Sequence, residues 1–360
     1  MCQRVIVSMG VGLGRTSIAN ASVQKNNPLA SVCVVMSTIE LGSAMSHLAK
    51  ASGPVRPDIY ACFLLLSTEF EDDSAKELTG ILEGSPKGVP YMSPDLDSNA
   101  SLSEMPWRLV RAALWQLYAN LLLLMDSDEP EVVHQARIGW RRLRTCCRLL
   151  NAMPDLPSSP PVMQLRPLLN QLREVRDIDV ARYDILPRAS RLIPVGDAAT
   201  DSEWRPLYAA LESEAAARRT ALRRMLIKPA VGEALWEQVL WLLQLEEFGQ
   251  QVPRRLDGGN SLVQWARHHI RRMHRKFKRA QERCQDAETQ HRARIWAKRL
   301  RYACEDFRKL LPHAARKWQK EAVRLQSDFG TQRDLQTAAA LAERHGAEHI
   351  ASCIRRLASA

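Results

Sequence analysis

His134, Arg137, Arg141, Arg144 and Arg148 follow one another at intervals of three and four residues. On an α-helix turning 100° per residue, that spacing stacks all five in one stripe about 80° wide. Leu143, Cys146 and Leu150 fall on the opposite side, where a core would lie. The stripe is suited to holding an anion. Guanidinium forks stay charged and can grip phosphate oxygens in pairs, and an imidazole can donate to one more.

The same ladder occurs twice. HQARIGWRRLR spans 134–144 and HRARIWAKRLR spans 291–301, an offset of 157 residues. His291, Arg294, Lys298 and Arg301 take the same angles in the second copy, with Leu300, Ala303 and Phe307 on its apolar side. Arg142 and Arg299 sit near the flank of each stripe. Like charges three and four residues apart on a helix repel by about 0.2–0.5 kcal/mol per pair. Few acids interrupt these stripes apart from Glu305 at the far end, so an external anion is expected to compensate.

The register extends past the ladders. Arg176-Asp177 follows Arg144 by 32 residues, and Arg333-Asp334 follows Arg301 by the same 32. Two segments held in register across such a gap indicate an internal duplication. The duplication predicts two similar bundles about a pseudo-twofold axis, with the ladders on facing walls of a groove.

Helices must carry this pattern. The segment 102–126 has a long helix-period apolar run after a Ser able to cap it, and Pro130 can open the helix that bears the first ladder. Further helical stretches are expected near 161–187, 202–226, 231–248, 259–284, 287–311, 315–328 and 332–357. Strand signals are nearly absent from this body, which reads as an all-α bundle, with halves of about 101–200 and 201–360.

The first 100 residues differ. They hold eight of the 16 glycines, seven Lys/Arg and ten Asp/Glu, whereas residues 101–360 hold 44 basic and 30 acidic residues and all nine Trp. RVIVSM and YACFLLLS have the character of short strands, and SAKELTGILEG that of a short helix. Gly10, Gly12 and Gly14 do not make a phosphate loop, because Arg15 stands where that motif needs its lysine. The eight cysteines form no C-x-x-C pair, which argues against a zinc site and a disulfide framework. No apolar run reaches the ~18–20 residues of a membrane span. These features predict a soluble, cytoplasmic protein with an anionic partner.

The paired H-x-x-R-x-x-x-[KR]-R-L-R segments, KRLRY at 298–302 and the R-D elements resemble the CHAD family, the conserved histidine α-helical domain, over about residues 102–357. The resemblance implies two pseudo-symmetric four-helix bundles around a basic central groove. It also implies binding of inorganic polyphosphate without a cofactor; the expected function is non-enzymatic, and such binding could localise the protein to polyphosphate granules. Carried over by motif position, the implied ligands are His134, Arg137, Arg141, Arg142, Arg144, His291, Arg294, Lys298, Arg299 and Arg301. Arg148, Arg176, Tyr302 and Arg333 join the set. Two departures stand out: Leu172-Arg173 replaces the family's Leu-Gly before the first R-D element, while Phe329-Gly330 keeps the glycine, and Thr145 stands where the second copy has Tyr302.

CHAD domains often follow a CYTH domain, whose entry strand carries E-x-E-x-K. IELGSAMSHLAKA at 39–51 resembles that strand only through Glu40, so triphosphatase activity is not expected. Residues 1–100 are read as unassigned: a degenerate CYTH remnant, or disordered.

Two other functions fit the charge. Nucleic-acid binding through the same groove needs exposed aromatic platforms, and the ladders offer only Trp140, near the groove edge, and Trp296, on the core side. Cleavage of polyphosphate would need a nucleophile and metal-binding carboxylates, and the duplicated motif supplies only cations and histidine. Asp177 and Asp334 are expected to orient neighbouring arginines. The dense run 267–279 and the cluster Arg218, Arg219, Arg223 and Arg224 are expected to be partly solvated charge.

Overall fold

The computed structural model describes residues 88–153, 155–192, 198–251 and 261–359. The three early glycines, the two short strands and short helix expected before residue 85, and the 39–51 segment lie outside these residues.

Helices dominate the described residues, with no strand among them. Helix α1 (Met105–Leu123) is followed by α2 (Pro130–Leu150) and α3 (Arg166–Val180), which passes through a π turn (Ala181–Ile185) into α4 (Leu186–Leu192). Then come α5 (Ala198–Leu226), α6 (Pro229–Gln251), α7 (Ser261–Glu282), α8 (Ala287–Asp306), α9 (Ala314–Arg344) and α10 (Glu348–Ser359). The offset of 157 that relates the ladders carries Pro130, the first residue of α2, onto Ala287, the first of α8. The two ladder helices thus start in register.

Their starts are set differently. α2 begins on a proline, whose missing N–H costs nothing at that position. α8 begins with a capping box: Asp286 Oδ1 accepts the Thr289 N–H at 2.8 Å, and Thr289 Oγ1 accepts the Asp286 N–H at 3.0 Å.

One expected break falls elsewhere. The sequence suggested an interruption between 328 and 332, but α9 runs through Gly330, where an added Cβ would meet nothing within 4 Å. The chain turns instead at Gly346, with φ at 77°. There Ala347 N–H reaches Ala342 O (2.9 Å) and Gly346 N–H reaches Glu343 O (3.0 Å). This pair of bonds closes the helix around a left-handed residue, a conformation that glycine adopts without a Cβ penalty.

α1 is buried almost all round, consistent with its continuous apolar composition. It packs closely on α2: a Cβ at Gly139 would lie 2.6 Å from Leu117 N, so only glycine permits this approach. Residues 88–100, grouped by sequence with the unassigned front, dock on the helices. Val89 exchanges backbone bonds with the buried Asn120 amide (2.8 and 2.9 Å), and Leu96 is buried.

Two apolar cores result. The larger joins α1 and α2 with α6, α7 and α8, together with parts of α3, α5 and α9. The smaller joins the end of α3, the π turn and α4 with the start of α5, the end of α9 and α10. The cores therefore do not divide at residue 200. Leu143, Cys146 and Leu150 of α2 share one core with Leu300, Ala303 and Phe307 of α8, so both ladders stand on a single packed body.

Candidate anion-binding site

With the apolar sides of α2 and α8 buried in a common core, their cationic stripes meet. Lys298 on α8 feels the charges of Arg141 and Arg137 on α2, Arg294 on its own helix and Arg333 on α9. Arg137 feels Arg141, Asp177, Arg176 and Arg173. His134 feels Arg176, Glu131, Arg141 and Arg137. Cations of the two rows thus come within electrostatic reach of one another, with those of α3 and α9 beside them. This central cluster joins His134 to seven cations, Arg137, Arg141, Arg173, Arg176, Arg294, Lys298 and Arg333, against the carboxylates of Asp177 and Asp334.

Ionisation is strained accordingly. Burial, then Arg141, Arg294, Arg333 and Arg137, brings the Lys298 ammonium down to about 7. Burial and Arg141 bring Arg137 down to about 9, opposed by Asp177. Burial and Arg333 also lower Arg294, opposed by Asp334. Burial and Arg176 take His134 down to about 4, so its imidazole is neutral near pH 7. Arg137, Arg141, Arg176, Arg294, Lys298 and Arg333 make no ion pair or side-chain hydrogen bond to any described residue. Asp177 and Asp334 temper the field of Arg137 and Arg294 without pairing directly, and burial raises Asp334 further.

The histidines are not equivalent. His134 is half-buried within the cluster, whereas His291 is exposed near the start of α8.

Six expected ligands have other surroundings. Arg142 is only 6% exposed and pairs with Glu305 and with Asp306 at 3.1 Å. Its guanidinium also lies over the rings of Tyr91 (3.5 Å) and Tyr302 (4.6 Å). Burial opposes its charge, but Asp306, Tyr91 and Glu305 more than offset this and raise its pKa. Tyr302 is 2% exposed and also lies beneath Arg301, which pairs with Glu305 at 3.3 Å. Tyr91 donates to Asp306 at 2.7 Å, and burial pushes the Asp306 carboxyl up to about 6. Arg142 and Tyr302 are thus withdrawn into an internal clamp, and Arg301 is partly neutralised. The other three, Arg299, Arg148 and Arg144, form a different group: Arg299 feels the other two, and burial with these neighbours lowers it to about 10.

Other expectations are adjusted in the same way. Trp140 is buried at 9% exposure and does not reach a groove edge. Trp296 packs on the core from one side while Arg299 and Lys276 lie over its ring, at 4.6 and 5.0 Å. Arg218 pairs with Glu174 and Glu214, Arg219 with the buried Asp179, and Arg223 with Asp128, so three members of that cluster are occupied internally. In the run 267–279, Arg271, Arg272, Arg275 and Arg279 are exposed, while Lys278 pairs with Glu321. Arg173 was missed as a member of the site. It lies one turn before Arg176 on α3, and extending the helical wheel to 166–180 would have found it. The family's glycine is not needed at that position: α3 stays helical, and the substitution adds a cation beside Arg137.

Among the described residues, no group of three or more His, Cys, Asp or Glu could hold a metal ion, and no helix is long and apolar enough to cross a membrane.

Paired cationic helices on one core define an all-helical protein built around a half-buried cationic cluster. The CHAD domain model matches residues 108–343, more than half of the chain, and the chain belongs to the CHAD family. A solved structure similar to it is the crystal structure of the CHAD domain from the plant Ricinus communis, with 27% identity and a TM-score of 0.62. That likeness covers 76% of this chain and 91% of the plant chain. A search of curated proteins found no match.

Proposed function

We propose that the protein binds inorganic polyphosphate, without cleaving it, through the central cluster of α2, α3, α8 and α9, with residues 101–360 as the binding body. The observation that carries this reading is the excess of cations: seven surround two carboxylates, and burial and mutual repulsion depress several of them. A polyanion relieves that repulsion, and a repeating phosphate chain can follow the row without being read as a sequence. Membership of the CHAD family supports the same ligand. Burial of Trp140 and the cations covering Trp296 leave little platform for stacking bases, so nucleic acid is the weaker partner. Binding of this kind would localise the protein to polyphosphate granules.

Titrating polyphosphate into the wild type and Arg137→Ala/Arg294→Ala tests the reading. Each lost charge-assisted contact is worth roughly 1.5–3 kcal/mol, so affinity should fall by at least about 100-fold. Affinity should also fall steeply with salt, as it does when a polyanion releases counterions. Equal affinity in wild type and double variant would refute the assignment, and RNA displacing polyphosphate more readily than the reverse would favour nucleic acid.

A further inference from the structure

The outward side of α7 is densely cationic and takes no part in the central cluster. Arg271, Arg272, Arg275 and Arg279 are exposed, have no ion pair among the described residues, and fall in a stripe about 100° wide. The opposite side of the helix, with Leu262, Ala266, Ile270 and Phe277, is buried in the larger core.

α9 lies beside α7 and runs in the same direction. His274 stacks on Trp318 with ring centroids 4.4 Å apart, and one turn further along both helices Lys278 pairs with Glu321. With the two helices oriented by these contacts, the exposed Lys317, Lys320 and Arg324 of α9 project to the same side as the α7 arginines. That side is away from the core that holds Ala322 and Leu325. Two cationic rows therefore lie next to each other on the surface. Packed helices stand about 8–10 Å apart, and eight residues of helix extend about 12 Å. Acids are few: Glu321 is spent on Lys278, and the exposed Glu282 and Asp328 lie beyond the ends of the rows.

The central cluster is half-buried and suits a thin chain, whereas this face is open and broad and suits a thick, stiff polyanion. Each row can follow one of the two phosphate strands of a duplex, which carry one charge per about 3.4 Å of axis. The indoles nearby are engaged internally, Trp318 by His274 and Trp265 by His269 at 4.2 Å, which leaves them unable to stack the bases of a single strand. α7 has committed its apolar side to the core, so it has none to insert into a bilayer.

We propose that the outer face of α7 and α9 is a docking surface for duplex nucleic acid, held through its phosphates without reading of base sequence. The inference goes beyond the polyphosphate reading and does not depend on it, because none of the central cations is used.

The test is fluorescence anisotropy of a labelled DNA duplex of about two helical turns, roughly 20 base pairs. Wild type is compared with Arg271→Glu/Arg275→Glu, with Lys317→Glu/Arg324→Glu and with the central Arg137→Ala/Arg294→Ala. Each surface variant should lose more than about tenfold in affinity, and its slope of log affinity against log salt should become shallower by at least about 2. The central variant should bind the duplex within about twofold of wild type. Wild-type affinity in both surface variants, no duplex binding by the wild type, or an equal loss in the central variant overturns the proposal. Capture of the wild type on phosphatidylserine–phosphatidylcholine vesicles with the duplex unbound also overturns it and assigns the face to a lipid surface. All four surface substitutions fall at exposed positions, and either row alone carries the comparison if the other variant loses its helical circular dichroism.

Discussion

The two ends of the α2–α8 pair use one architectural position for opposite purposes. At one end Arg142 is buried against Glu305 and Asp306, roofed by Tyr91 from the 88–100 segment and underlain by Tyr302. At the other, Arg299 shares its surroundings with Arg144 and Arg148 and rests on Trp296. The backbone positions correspond. The difference lies in three residues, Tyr302, Glu305 and Asp306 against Thr145, Arg148 and Leu149, at matching places on the two helices. A duplicated scaffold can thus turn one copy of a contact into a structural clamp and leave the other charged. Crowded cations cost stability unless a ligand compensates, a cost that suits a binding site better than a core.

The comparison breaks most visibly at the clamp. Asp306→Ala leaves Arg142 buried beside a single acid and removes the partner of Tyr91. Loss of about 3–5 kcal/mol is expected, read as a lowered denaturation midpoint. A change below about 1 kcal/mol would mean that the buried pair is not holding α2 to α8.

A smaller effect of opposite sign is expected at the counterpart. Arg299→Met removes a cation whose near charges are all like-signed and keeps the aliphatic stem against Trp296. Without ligand it should leave stability unchanged or raise it by up to about 0.5 kcal/mol. Arg142→Met should be destabilising. If both changes destabilise equally, the two ends are not different in kind.

The mildest effect is pH dependence in the absence of anion. Lys298 and His134 both titrate lower in the folded chain, at about 7 and about 4, than at their ordinary values of 10.5 and 6.5. The unfolded chain therefore holds more protons between pH 7 and 10.5 for Lys298, and between 4 and 6.5 for His134. Stability contributed by these groups rises with pH through each window and is lost on acidification. Bound polyphosphate favours the charged forms, so binding at pH 8 should take up protons, seen by calorimetry in buffers of different ionisation enthalpy. Binding should also tighten in mild acid as His134 charges. Lys298→Met should flatten the upper window. An unchanged slope in that variant would place the depressed titration elsewhere.

Much of this was legible in the chain. The wheel positions of Leu143, Cys146, Leu150, Leu300, Ala303 and Phe307 named the buried faces of both ladder helices, because an apolar stripe has little alternative to a core. The ladder spacing named Arg137, Arg141, Arg294 and Lys298, which meet as expected. Arg142 and Tyr302 were misjudged because a flank position on one helix does not say what stands opposite: their partners, Glu305, Asp306 and Tyr91, come from 163, 164 and 51 residues away from Arg142. The interruption expected between 328 and 332 is one that α9 does not make: Gly330 lies there, but a glycine costs a helix only about 1 kcal/mol and flanking residues can carry it through.

By itself the sequence determined the helices, their buried faces and the paired cationic stripes, since these follow from local periodicity along one strand of chain. Only the tertiary structure decided which cations are spent and which are free. That depends on which side chains other helices bring within a few ångströms, and charge is neutralised through space, whatever the distance along the chain.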